Sequence, residues 1–166
     1  MSEHTESRAA HLATQYEAAG EKFVRLVESL SDEQWRRVGR NGPERINDED
    51  EGRTVGVIAH HVALSGSLIM GRIQATLEGR PLPQIDIRAM NVTHAAEHGD
   101  VTREEVAVLL RQSGAEIAKA VRAIPDERLD TALETPVGLM SVKERLERVL
   151  IGHVKGHQAS IEAAVS

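Results

Sequence analysis

The feature that most constrains the fold of this chain is a repeated apolar spacing. Over four long stretches, hydrophobic residues return every three or four positions, the period of one face of an α-helix. In the first stretch, 6–30, Leu12, Tyr16, Ala19, Phe23, Leu26 and Leu30 fall on that step. The second, 54–79, carries Val55, Ile58, Val62, Leu68, Ile69 and Ile73. The third, 102–124, carries Leu109, Leu110, Ile117, Val121 and Ile124, and the fourth, 141–163, carries Val142, Leu146, Val149, Leu150, Val154 and Ile161. Each stripe must be covered by another element. The spacing therefore predicts an all-α fold, an antiparallel four-helix bundle forming one domain over 1–166.

The helix boundaries carry their own chemistry. Thr54 reads as an N-cap, and Thr102 with Glu105 and Ser141 with Glu144 read as capping boxes. Ser31 to Gln34 is another, opening a short turn that carries Trp35. Gly79, Pro81 and Pro83 close the second helix. The polar stretch 36–53 reads as a loop, as does 125–138. A short helical piece over 87–98 interrupts the long connection between helices two and three. No strand is expected.

Composition narrows the function. Tyr16, Phe23 and Trp35 are the only aromatic residues, so the core must be built from Leu, Val, Ile, Ala and Met. A net charge of −6 leaves no basic footprint for nucleic acid. There is no cysteine, which excludes disulfides, thiolate metal ligands and a cysteine nucleophile. The first eight residues are polar and charged, so no secretory signal is expected. The most apolar run, 55–70, is broken by His60, His61 and Ser65 and is too short to span a bilayer. A cytoplasmic location and a small-molecule substrate are the expectations.

Eight histidines remain to be placed. His153 and His157 are four apart, and such residues on a helix have Cβ atoms roughly 5–6 Å apart on one face. Both continue the apolar stripe of the fourth helix, so both imidazoles should point inward. On the second helix His61 lies within the apolar arc, whereas His60 lies about 100° further round. His61, His153 and His157 therefore form a candidate three-histidine metal set. Three protein ligands leave a coordination position open, as in a catalytic zinc site. The alternative is three histidines held in the core by hydrogen bonds. His94 and His98 form a rival pair at the same spacing, on a piece with few large apolar neighbours, and read as a partly exposed segment at a pocket mouth. His4 and His11 read as surface residues.

At these residues the chain resembles a known family. The segment 54–63, with His60 and His61, together with 150–157, with His153 and His157, is similar to the DinB/YfiT superfamily of metal-dependent enzymes. The resemblance implies a four-helix bundle with one metal-ligating histidine on the second helix and an H-x-x-x-H pair on the fourth. Its triad falls on His61, His153 and His157. The superfamily includes thiol-dependent transferases and the mycothiol-dependent maleylpyruvate isomerase, and its members are often homodimers. An aromatic residue often precedes the second helix in such proteins, and here that position is Arg53.

Together these readings imply a thiol S-transferase or hydrolase in which a divalent metal activates an external low-molecular-weight thiol or a water. Three imidazoles suit zinc first, with nickel, iron or copper as other occupants. No GxSxG elbow, Walker loop or HExxH motif is present. Arg88, Asn91 and Glu97 lie on the connection that could reach the site. The rival function is a non-catalytic small-molecule-binding or structural bundle whose metal is adventitious or absent.

Overall fold

The computed structural model describes residues 6–40 and 52–166. Its long helices are α1 (Arg8–Ser29), α3 (Val55–Leu77), α5 (Arg103–Arg122) and α7 (Gly152–Val165). Shorter helices are α2 (Asp32–Arg36), α4 (Ile87–Glu97) and α6 (Val142–Arg145). A 3-10 turn spans Asp126–Asp130, and a π turn, Leu146–Ile151, joins α6 to α7 in one continuous helical run. The described residues are thus mostly helical, and none of their helices is long and apolar enough to cross a membrane.

The starts of the helices follow the capping residues. The Ser7 hydroxyl accepts from the Ala10 N–H, and the Asp126 carboxylate accepts from the Arg8 and Ala9 N–H groups, each at 2.9 Å. A carboxylate at this end also complements the positive pole of the helix. Arg8 returns the contact with a two-pronged pair to Asp130. Thr54 caps α3, and complete capping boxes open α2, α5 and α6 at Ser31, Thr102 and Ser141. Gly79, at φ +70°, terminates the helical run after α3.

α1 packs against α5 and α7, and α3 packs against the same two helices. Between them lies a core that includes Phe23, Val27, Ile58, Ile73, Val121, Leu146, Leu150 and Ile161. Trp35, from α2, closes one side. Its indole N–H donates to the Val101 carbonyl at 2.9 Å. A Cβ on Gly56 would stand only 2.8 Å from the Trp35 ring, so this close crossing of α2 and α3 depends on glycine.

Two features depart from the sequence expectation. The stretch 125–138 is not simply a loop. Ala132–Thr135 (β1) and Gly138–Ser141 (β2) form an antiparallel hairpin, with Leu133 opposite Met140. These two side chains are buried while most of their neighbours are not. Successive side chains of a strand alternate between faces, so strands this short present too few positions for a periodic signal. The fourth helix also contains the π turn, in which the Gly152 N–H reaches back five residues to the Glu147 carbonyl. The turn inserts one extra residue and shifts the buried stripe. Upstream it is Val142, Leu146 and Leu150, and downstream it is Ile151, Val154 and Ile161, while Val149 is only half-buried. The loop expected over 36–53 falls largely on 41–51, outside the described residues. Its ends are joined by bonds from Gly39 N–H to the Arg53 carbonyl and from Val55 N–H to the Arg37 carbonyl.

Candidate metal centre

His61 projects from the second turn of α3, a turn that is buried almost throughout. His153 and His157 lie one turn apart on α7, directly after the π turn. Helix packing brings the three rings together. His61 Nε2 lies 3.2 Å from His153 Nε2, and His153 Nε2 lies 3.1 Å from His157 Nε2. Ring centroids are 4.4–5.1 Å apart within the set. One ligand atom from each residue falls within 4.8 Å of the other two.

Hydrogen bonding among these nitrogens alone cannot account for this arrangement. A neutral imidazole nitrogen carries either one proton or one in-plane lone pair. His153 Nε2 therefore serves only one of its two close neighbours well. A cation accepts lone pairs from all three. With Zn–N bonds of 2.0–2.1 Å, two ligands on a tetrahedral ion stand about 3.3 Å apart, close to the spacings found here. The donor set fits a divalent metal.

Surrounding groups prepare the rings for that role. Burial, and after it the charges of His157, His153, Arg53 and His94, pushes the His61 pKa down to about 2. A metal ligand must be the neutral imidazole, and His61 is neutral throughout the physiological range. The Ser65 hydroxyl donates to the His61 carbonyl at 2.8 Å, and its oxygen lies 3.2 Å from both ring nitrogens of His61.

His60, adjacent in sequence, belongs to a different group. Its Nδ1 lies 2.7 Å from His94 Nε2, and its ring stacks at 4.4 Å on that of His98. His60, His94 and His98 thus make a second set with ligand atoms within 4.8 Å of one another. Sequence reasoning left His60 without a role because it falls outside the apolar arc of α3. In the fold His60 and His61 are equally buried, each 8% exposed. The signal was present as two adjacent histidines followed by a second H-x-x-x-H pair. What linked them was the packing of α4 on α3, which periodicity does not report.

His94 and His98 are half-buried, which agrees with the partly exposed segment expected from the sequence. The His94 ring lies 5.9 Å from that of His61, edge-on, so the two sets adjoin. Burial, the charges of His60 and His98, and then Arg53 push the His94 pKa down to about 4. Of the other candidates on the connection, Arg88 and Glu97 are exposed, while Asn91 is half-buried with its amide nitrogen lacking a hydrogen-bond partner. His11 is a surface residue beside Gln15, and His4 lies outside the described residues. Gly152, next to the pair on α7, is not needed for close approach. A Cβ there would make only an ordinary contact at 3.5 Å, with the Glu147 carbonyl.

No curated protein and no solved structure matches the chain. The model of one family does, and it runs from within α1 to within α7, taking in both histidine sets. On that match over residues 15–161, the chain belongs to the DinB superfamily.

Proposed function

We propose that this protein is a metal-dependent enzyme of the thiol S-transferase or hydrolase type. It is built as a single-domain antiparallel four-helix bundle in which His61, His153 and His157 hold one divalent ion. The convergence of three buried or half-buried ring nitrogens within 4.8 Å carries this reading, and membership of the DinB superfamily supports it. Zinc is the first choice, with nickel, iron or copper as competitors. When bound, such an ion supplies a Lewis acid with a free coordination position, able to lower the pKa of a thiol or water.

The chain's own residues provide the setting. His61 and His157 are buried, and His153 is half-buried. An ion held by imidazole ligands alone keeps its full positive charge for the group that it activates. Because the sequence contains no cysteine, a thiol substrate or cofactor must come from outside. α4 borders the site through His94.

The reading is tested by elemental analysis of the purified protein, followed by a screen of low-molecular-weight thiols against electrophiles. The expected result is turnover that a chelator abolishes and that His61→Ala lacks. Stable metal binding without turnover of any thiol or hydrolytic substrate would favour the non-catalytic bundle. Metal content unchanged by His61→Ala would overturn the site itself.

A further inference from the structure

We infer that His60, His94 and His98 form a second divalent-metal site, beside the first, that fastens α4 to α3. The inference rests on geometry separate from that of the first triad, since none of its three ligands is shared with it.

The fastening is needed because α4 has little else to hold it. It runs for 11 residues and buries none of them, and its packing is against α3. Isolated helices of this length are marginal in water. Ile87, Met90 and Val92 are all substantially exposed. What α4 offers α3 is a pair of imidazoles one turn apart, brought against His60. The three rings lie nearly parallel, within 23° of one another, with centroids 4.4–5.0 Å apart.

The nitrogens suit a cation. The His98 Nδ1 lies 3.0 Å from the His94 carbonyl, which only accepts, so that nitrogen carries the proton. The His98 Nε2 then bears the lone pair, the tautomer and outer hydrogen bond typical of a metal-ligating histidine. His94 Nε2 and His60 Nδ1 face each other at 2.7 Å, so an opening of about 0.6 Å lets both serve one tetrahedral ion. Imidazole-only ligation selects a transition-metal ion such as zinc, nickel or copper over magnesium or calcium, which prefer oxygen.

The test is a titration of chelator-stripped protein with Zn²⁺, read as ions bound per chain in the presence of a competing chelator dye. Wild-type protein is expected to bind two. The His94→Ala/His98→Ala variant should bind one, and because α4 buries no residue, its fold should survive. The His153→Ala/His157→Ala variant should also bind one, held at the second set. Hydrogen exchange gives an independent reading. Zn²⁺ should protect the amides of 87–97 in the wild type and in His153→Ala/His157→Ala, and not in His94→Ala/His98→Ala. Saturation of the wild type at one ion that His94→Ala/His98→Ala retains would overturn the second site and leave the first standing. Loss of one ion only in His94→Ala/His98→Ala, with none lost in His153→Ala/His157→Ala, would support the second site and overturn the first.

Discussion

The two histidine sets use the same residue type and adjacent positions on α3, yet their frameworks differ. His61, His153 and His157 are set between two long helices that share the central core, so their positions are fixed by many apolar contacts. His60, His94 and His98 join α3 to a short helix without a buried residue. In the first set the fold positions the ligands. In the second the ligands position part of the fold. A site of the first kind can leave a coordination position open at little structural cost, because its ligands stay in place without the ion. A site of the second kind is coupled to local order, since binding free energy is also ordering free energy.

The largest effect should come from His61→Ala. Removing one of three ligands should weaken metal binding at the first set by more than about 100-fold, a loss larger than that from outer-contact changes. Chelator competition measures this, and His98→Ala should leave that affinity within a few-fold. Comparable losses in both variants would mean that the two sets act as one.

Next comes the response of metal-free protein to acid. The folded pKa values of His61 and His94 lie at about 2 and about 4, below the ordinary 6.5. Below 6.5 the unfolded chain therefore binds more protons than the folded one. Stability is complete above that value and is lost as pH falls, toward 4 for His94 and toward 2 for His61. The melting temperature of chelated protein should fall steadily from about pH 7 to about pH 4.5. His61→Gln and His94→Gln should each flatten that fall to a similar extent, and an unchanged slope in both would contradict the burial of these rings as neutral groups.

A smaller, purely structural effect is expected at the crossing of α2 and α3. Gly56→Ala forces a methyl group against the indole of Trp35. Overpacking of this kind costs about 1–3 kcal/mol. Denaturant unfolding should show it, and a variant as stable as the wild type would mean that α2 moves aside freely.

The smallest effects separate the two frameworks through their helix caps. Thr102→Ala removes the cap of α5, a helix packed against α1 and α3, and should lower global stability by about 1 kcal/mol. Asp86→Ala removes the cap of α4, whose Ala89 N–H it holds at 2.9 Å. In metal-free protein it should raise exchange only within 87–97 and leave global unfolding unchanged. A global loss from Asp86→Ala would show that α4 is part of the cooperative unit.

How much of this was legible in the sequence follows the range of each signal. Caps are local, and Ser31, Thr54, Thr102 and Ser141 marked helix starts in the positions where the structure has them. The three- and four-residue steps located the long helices and put His61, His153 and His157 on inward faces. His60 escaped because an apolar stripe defines the inside only where the covering neighbour is apolar. Over His60 the cover is a helix that presents histidines, which reads as polar surface. The hairpin escaped because its burial rests chiefly on Leu133 and Met140. The π turn leaves no compositional mark, since Leu146 to Ile151 are residues that any α-helix accepts.

That π turn makes the first site depend on a residue count. An α-helix advances about 100° per residue, so the extra residue between Leu146 and Ile151 sets the angle at which everything after it faces the core. His153 and His157 meet His61 because the chain is one residue longer there than a regular helix over the same rise. Ligand identity is written in three side chains, but their convergence is written in backbone length. A one-residue deletion that touches no histidine would turn the pair away from α3 as completely as replacing it.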